Sequence, residues 1–426
     1  MKSQSLIFAM IFLSGFATVS AQDWPQYLGP NRNGVSSQQN IAREWSDKGP
    51  EVLWKVDLGI GFGGSVIREG KVYLLDREDK TGDKLRCLDL TTGKELWSFA
   101  YDAPGSVTYP GSRSVPAIDG NRIYTVGPYG QFYCTDINTH KPLWNKNIWT
   151  DFGGGQIPRW AITQCPLVYG DLVIVASQAP GAGVVAYNKL SGNVKWSTPS
   201  LGPVGYVSPS LLKVGNENHV VMITASAGRG QSANGGKVVG MDPSTGKVLW
   251  EYRNWQCGIP VPSAVDAGEG RALITGGYEA GAAMIKIERK TDGSYSVAEL
   301  FKNQDFGAHT QPPVLVGGNF YAQYSTNERK DGLVCMSMDG KVNWKTGRSP
   351  LFDKGGMIYA DGILLATDGA KKLYLVQPDA VSFKPLASAD ILNGDNASQN
   401  WAPLALSDGK LLIRDQNRLI CIKVVK

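Results

Sequence analysis

Histidine is scarce in this chain: His140, His219 and His309 are the three present in 426 residues. They show none of the short spacings at which metal-binding histidines recur, so the sequence does not predict a zinc site. The Gly-x-Ser-x-Gly turn that presents a nucleophilic serine in α/β hydrolases is also missing. A glycine-rich run at 227–236 is not followed by a helical pattern, so we do not interpret it as a phosphate-binding loop. Several common kinds of catalytic site are therefore not predicted.

Strong charge and long apolar segments are lacking as well. Lys and Arg number 43 against 38 Asp and Glu, a net charge of +5, and the basic residues do not cluster, so the sequence does not predict nucleic-acid binding. The apolar run at 6–13 is shorter than the roughly 20 residues that span a bilayer, so we expect no membrane span. It follows Lys2 and leads through small residues to Ala21, which predicts a cleaved secretory signal peptide at 1–21. No Cys lies near that cleavage site to carry a lipid. We expect a monomeric protein in the periplasm or outside the cell.

What the chain has in abundance is repetition. One phrase recurs at a spacing of about fifty residues: a small residue, Asp or Asn two positions later, usually Gly-Lys, and a Trp ten residues after the start. Its clearest copies begin at Cys87, Cys134, Ala186 and Gly240 and end at Trp97, Trp144, Trp196 and Trp250. Asp with Thr-Gly or Ser-Gly is turn chemistry, so each phrase predicts a hairpin. Two apolar runs around a Gly-centred turn precede each hairpin, which makes four short strands, the blade of a β-propeller.

Counting blades predicts the architecture. First strands are predicted to start near Gly64, Val115, Cys165, Ser208, Pro262, Gln311, Gly356 and Ala402. The last blade has three strands before the sequence ends, and a spare strand ending in Lys-Val-Asp lies at 51–57. We predict an all-β, eight-bladed β-propeller of four-stranded antiparallel blades at 51–426, closed by that N-terminal strand, after a lead-in segment at 22–50. Closure of this kind leaves no open edge between the first and last blades.

The repeated phrase resembles the pyrroloquinoline-quinone-like (PQQ-like) propeller repeat, Ala-x-Asp-x-x-x-Gly-Lys-x-x-Trp. That repeat occurs in quinoprotein alcohol dehydrogenases and in non-enzymatic propellers such as the outer-membrane assembly factor BamB. The resemblance covers roughly residues 51–426, and the segment from Asp23 to Val35 resembles the lead-in of many short secreted PQQ-like propeller proteins. It implies the fold more than the function, because one fold hosts many functions. We expect an exported, non-catalytic binding or scaffold module for a protein partner or a small ligand; the alternative is a compact alcohol or sugar dehydrogenase dependent on PQQ and calcium.

The sequence departs from the quinoprotein enzymes in two ways. No two of its six cysteines are adjacent, whereas many of those enzymes carry a vicinal pair beside the quinone. Cys87, Cys134, Cys335 and Cys421 occupy equivalent positions in different blades, too far apart to bridge, while a Cys165–Cys257 pair stays open. The acidic residues of the long loops match no calcium-ligand arrangement of the enzymes; they are Asp151, Glu279, Asp305, Asp353 and Asp395. We therefore predict neither a metal nor a cofactor, and we favour a protein that is not an enzyme.

Long irregular loops indicate where a site would lie. They occupy 102–113, 148–164, 225–237, 255–260, 303–311 and 393–401, on the face opposite the short hairpins. Their polar and aromatic residues near the first strands are the candidate ligand-binding residues: Arg113, Arg159, Trp160, Gln164, Trp255, His309, Gln311, Asn400 and Trp401. We predict a channel mouth with an aromatic rim, suited to a planar anion, a sugar or a peptide. The alternative is that these groups only seal the channel and hydrogen-bond strand ends.

Overall fold

A computed structural model describes residues 22–227, 235–326, 329–392 and 399–426. It contains eight blades, each a four-stranded antiparallel core, which confirms the predicted eight-bladed β-propeller. The predicted signal peptide at 1–21 and most of the glycine-rich run at 227–236 lie outside the described residues. Within the described ranges, no helix has the length and apolar character to cross a bilayer.

The strands of the first four blades follow the repeat in chain order. Blade 1 comprises Val66–Arg68, Lys71–Glu78, Gly82–Asp89 and Glu95–Asp102; blade 2 Ala117–Asp119, Arg122–Val126, Gln131–Asp136 and Pro142–Asn147; blade 3 Leu167–Tyr169, Leu172–Val175, Val185–Asn188 and Val194–Ser197; and blade 4 Ser210–Val214, Glu217–Ile223, Val238–Met241 and Val248–Tyr252. A short 3-10 helix, Thr150–Phe152, lies between blades 2 and 3.

The remaining blades repeat the pattern. Blade 5 comprises Val265–Asp266, Arg271–Gly276, Gly281–Arg289 and Tyr295–Asn303; blade 6 Val314–Val316, Asn319–Ser325, Lys330–Ser337 and Val342–Lys345; blade 7 Met357–Ala360, Ile363–Thr367, Lys372–Gln377 and Lys384–Asp390; and blade 8 Ala405–Ser407, Lys410–Arg414, Arg418–Lys423 and Val52–Asp57. First strands of neighbouring blades contact one another, which places them around the central axis.

The N-terminal strand closes the ring as predicted. Val52–Asp57 pairs antiparallel with Arg418–Lys423, with Trp54 opposite Cys421. It is the fourth and outermost strand of blade 8, so the two ends of the chain share one sheet. This arrangement leaves no gap in the ring at the junction of the first and last blades.

Most of the repeated phrases dock their Trp on the turn of the next blade. The ring of Trp144 in blade 2 lies against Gly192 in blade 3, so close that a Cβ on that glycine would approach the ring to 2.7 Å. Gly192 also has a φ of 69°, which favours glycine. The Trp144 indole Nε1 donates to the Lys189 carbonyl at 3.3 Å. The phrase therefore encodes both a hairpin and its contact with the neighbouring blade.

Departures from the phrase keep the contact by other means. In blade 2 His140 replaces the turn glycine, and its ring stacks on Trp97 of blade 1 with centroids 4.5 Å apart. In blade 5 Phe301 replaces Trp and lies against Gly340 of blade 6. The corresponding turn of blade 5 contains Gly293, but the atom next to its Cβ position is Arg289 Nη2 at 3.9 Å rather than the ring of Trp250. Trp250 Nε1 donates instead to His219 Nδ1 at 3.0 Å within blade 4.

The lead-in segment crosses the channel on the hairpin face, a path that the repeat does not predict. The Pro25 carbonyl accepts from Ile118 N in blade 2, at 2.8 Å. Val35–Ser36 then pairs in parallel with Met357–Ala360 as a fifth, inner strand of blade 7. Ile41 N donates to Asp361 Oδ2 at the next turn of that blade. The segment thereby crosses the ring and links blade 2 to blade 7.

All six cysteines are free and buried, including Cys165 and Cys257, whose pairing the sequence left open. Burial raises the pKa of Cys257 to about 12, so this thiol is protonated at neutral pH. The cysteines therefore act here as small buried side chains rather than as reactive thiolates.

Candidate functional site

A well of about 260 Å³ lies at the axis of the ring, on the face of the long loops. Five of the nine predicted site residues line this well: Arg113, Trp160, His309, Gln311 and Trp401. They come from the segments that enter blades 2, 3, 6 and 8, so residues far apart in sequence converge at the axis. We call this cavity the central well.

The other four predicted residues lie outside the lining of the central well. Arg159 is exposed, with its guanidinium carbon 5.2 Å from the centroid of the Trp160 ring. Gln164 is 3% exposed and borders a smaller cavity behind the wall. Asn400 is equally buried, and its amide contacts the Ala370 carbonyl. Trp255 packs in the core between blades 4 and 5, where its Nε1 donates to the Ala280 carbonyl at 3.0 Å.

The sequence analysis did not predict several residues that line the well. Many of them occupy equivalent positions in the repeat, and an alignment of the blades would have found them. The residue four positions before each first strand is, in blade order, Phe62, Arg113, Thr163, Tyr206, Val261, Thr310, Asp353 and Trp401. All of these except Asp353 line the central well, and its neighbour Lys354 takes that place. Residues at one equivalent position of the repeat therefore form most of the wall, because the segment before each first strand passes the axis at that position.

The floor of the central well comes from the lead-in segment. Tyr27 is 7% exposed and lines the well from the hairpin side. Arg32 lies next to it, with its guanidinium carbon 5.7 Å from the Tyr27 ring centroid. Its Nη1 donates to the Pro166 carbonyl at 3.0 Å and its Nη2 to the Pro209 carbonyl at 2.9 Å. The lead-in segment thus makes the channel a blind cavity, and nothing in the repeat indicated that role.

A belt of polar contacts joins the first strands below the rim. Val115 N lies 3.2 Å from the Cys165 Sγ, and Cys165 N donates to Ser208 Oγ at 2.8 Å. Ser263 Oγ donates in turn to the Ser208 carbonyl at 2.7 Å. These links connect blades 2, 3, 4 and 5 in sequence. The polar groups of this belt hold the blades together.

Three aromatic groups form the walls. Trp401 lies between Phe62 and Tyr109, with centroid distances of 5.1 and 5.4 Å. Trp160 meets Tyr206 edge to face at 5.3 Å. The third group is Tyr278 with His309, whose ring centroids are 4.7 Å apart. Aromatic surfaces on several sides favour a flat ligand, since rings stack or meet edge to face at such distances.

His309 is neutral at the wall. Its Nδ1 lies 3.0 Å from the Ser325 carbonyl, and since a carbonyl only accepts, Nδ1 carries the proton. Burial and, second to it, the charge of nearby Lys354 lower the pKa of His309 to about 4. The imidazole therefore adds no charge to the well at neutral pH.

Two cations reach the central well, and only one of them is neutralised by a carboxylate. Lys354 Nζ lies 2.7 Å from Asp353 Oδ1 and stands 5.3 Å from the Trp401 ring centroid. The Arg113 Nη2 contacts the carbonyls of Thr108 and Tyr109, and burial lowers the pKa of Arg113 to about 10, which leaves it charged at neutral pH. No Asp or Glu occurs among the described residues that line the well.

The fold and the well define the class: this is a PQQ-like eight-bladed β-propeller with an axial cavity that the lead-in segment closes at one end. A family model described as "Outer membrane protein assembly factor BamB" (PQQ_2) matches residues 81–346, more than half of the chain. The chain therefore belongs to this family, which confirms the resemblance that the repeated phrase predicted.

Comparison with curated proteins finds partial relatives. The chain is 27% identical over 164 residues to the quinoprotein ethanol dehydrogenase of Pseudomonas aeruginosa, a match to 36% of this chain and 24% of that protein. It is 26% identical over the same length to the quinoprotein ethanol dehydrogenase of Pseudomonas putida. The match spans about a quarter of each relative, so it does not carry the activity of the whole enzyme.

Solved structures share the fold at low identity. A europium-containing methanol dehydrogenase superposes with a TM-score of 0.65 at 14% identity, over 93% of this chain and 89% of its own. The quinohemoprotein alcohol dehydrogenase of Comamonas testosteroni gives a TM-score of 0.63 at 15% identity, over 95% and 81%. At such identities the likeness shows the propeller fold alone.

Proposed function

We propose that this protein is a non-catalytic binding module that holds a small ligand, or an inserted group of a protein partner, in the central well. The observation that carries the proposal is a blind, aromatic-walled cavity whose described lining lacks any carboxylate. Ligand pockets in proteins are of this kind: concave, mostly apolar and largely preformed, with a few polar groups. An aromatic wall and one uncompensated cation supply affinity for a ligand, and the described lining offers no carboxylate to act as a general base.

The residues of the well do not fit the group that quinoprotein relatives imply. PQQ is a flat tricarboxylate, and the aromatic walls match its flat shape. Calcium, however, takes several oxygen ligands, most often carboxylates, and the described lining offers no Asp or Glu. Asp353, in register with the lining, is instead paired with Lys354. Among the described residues no group of three His, Cys, Asp or Glu is arranged to hold a metal ion.

A compact quinoprotein dehydrogenase is the second candidate, because the two curated relatives are quinoprotein ethanol dehydrogenases. One experiment separates it from the binding module. The purified protein is incubated with PQQ and Ca²⁺, passed through a desalting column and assayed for dye-linked oxidation of ethanol and glucose. We expect neither a retained quinone chromophore nor turnover. Stoichiometric PQQ together with turnover would establish the dehydrogenase instead, with a known quinoprotein enzyme as the positive control.

The cellular setting is part of the same proposal. The predicted signal peptide and the family description, an outer-membrane assembly factor, both support an exported protein of the periplasm or the extracellular space. Long loops around the well supply a surface on which a protein partner would rest while one of its groups enters the cavity. A pull-down from the native envelope tests for such a partner.

A further inference from the structure

We propose that the ligand of the central well is a planar organic acid with a single negative charge, an aromatic monocarboxylate, and that Arg113 selects for that charge. This inference rests on the binding role proposed above and names the ligand class for it. Three independent properties of the well lead to it: its net charge, its shape and the state of its polar groups.

The residues that line the well carry the charge of one uncompensated cation; Arg32 lies beneath the Tyr27 floor, outside the lining. The Lys354 ammonium contacts both carboxylate oxygens of Asp353 at 2.7 Å, so this pair adds little net charge. Arg113 is held in place through Nη2 by two backbone carbonyls, which are neutral and leave its charge uncompensated. A partly buried charge without a counter-ion favours a ligand of opposite sign, because the surrounding dielectric is low. A lining with one uncompensated cation therefore favours a ligand with one anionic group.

The shape of the well is suited to a small ring system. Its volume is about 260 Å³, and an engineered cavity of about 150 Å³ already takes benzene. One or two fused rings therefore fill it. Trp401 and Trp160 enter blades 8 and 3, and they line this space together with their aromatic partners Phe62 and Tyr206, which favours stacked or edge-to-face contact with a flat ligand.

The polar groups of the lining argue against a sugar. Thr163 Oγ1 donates to the Tyr206 carbonyl at 3.1 Å, and Thr310 Oγ1 donates to the Lys354 carbonyl at 3.3 Å. Gln311 Nε2 donates to the Trp401 carbonyl at 3.0 Å. A sugar needs many hydrogen-bond partners for its hydroxyls, and these donors are already engaged in links between blades. A flat acid needs few partners beyond the guanidinium.

The test is isothermal titration calorimetry of the full chain with four probes. These are 2-naphthoate, its neutral analogue 2-naphthamide, the dianion 2,6-naphthalenedicarboxylate and the sugar acid glucuronate. We expect 2-naphthoate to bind with one site per chain and at least roughly tenfold more tightly than each of the other three. This comparison uses the native protein and does not depend on how any variant folds.

Variants then assign the charge selection to Arg113. Arg113→Gln is expected to weaken 2-naphthoate roughly tenfold and to leave 2-naphthamide within about twofold, so the preference for the acid disappears. Arg113→Lys restores most of that preference. Arg289→Gln is the matched control, because Arg289 is exposed on the outer strands of blade 5, and it should change neither affinity.

The outcomes separate this inference from the proposed function. Equal affinity for 2-naphthoate and 2-naphthamide, or a preference for the dianion or for glucuronate, would overturn the inference while a binding role for the well stands. A preference for the acid that survives Arg113→Gln would overturn the role of Arg113. Failure of all four probes to bind would count against the inference and the proposed function together.

Discussion

Single turn residues determine how neighbouring blades of this ring contact one another. At Gly192 a positive φ and the ring of Trp144 coincide, whereas Gly170, in the same blade, has a φ of 54° and no atom within 4 Å of its Cβ position. Comparing substitutions at the two glycines therefore distinguishes the cost of backbone strain from the cost of disturbed packing between blades. The sequence predicted the turn chemistry of both, because the Asn-x-x-x-Gly turn at Gly192 and the Gly-centred turn at Gly170 have a local cause. It did not predict which glycine receives a Trp from the next blade.

Replacing these two glycines measures that difference. Gly170→Ala is expected to lower the free energy of unfolding by about 1 kcal/mol through backbone strain alone. Gly192→Ala should cost about 1 to 3 kcal/mol more, because the new methyl group meets the Trp144 ring. Chemical denaturation of both variants gives the comparison. If both variants lose the same free energy of unfolding, the Trp144 ring can move away from the new methyl group without destabilising the protein.

At the scale of elements, the lead-in segment is the part that sequence reasoning describes least. The repeat predicted the first strand of each blade within three residues of its observed start, since each has its own apolar run and turn. The lead-in segment has no repeat, so neither its parallel pairing at Val35–Ser36 nor its place as the floor of the well follows from local pattern. Its contacts are with several blades at once, and no periodicity encodes them.

Arg32 tests the lead-in segment as an anchor of the channel. Arg32→Ala removes two donors from the buried carbonyls of Pro166 and Pro209, and we expect a loss of about 2 to 3 kcal/mol in stability. Arg43→Ala, at the exposed ion pair with Asp361, is the control and should cost less than about 1 kcal/mol. Hydrogen exchange at 22–34 should quicken in the first variant alone. Comparable effects of the two variants would mean that the floor does not depend on Arg32.

At the scale of the whole molecule, the ring explains why only part of the site was predicted. Arg113, Trp160, His309, Gln311 and Trp401 were found because they stand out in long loops near first strands. Trp255 has the same sequence context and packs in the core, since a loop residue can turn either way. Much of the lining comes from the position four residues before the first strand of each blade. That position can be identified only when the start of each first strand is known.

The central claim is that the axial well is a ligand site, and filling the well tests it most directly. Val261 lines the cavity, so Val261→Trp occupies it, whereas Val248→Trp adds the same side chain on an exposed outer strand. Both variants should keep the unfolding temperature within about 2 °C, because the new ring enters empty space or solvent. The measurement is saturation-transfer NMR with a mixture of small aromatic acids and amides on wild type and both variants. We predict signals for wild type and Val248→Trp and their loss in Val261→Trp; signals that persist in Val261→Trp, or are absent in wild type, would contradict the claim.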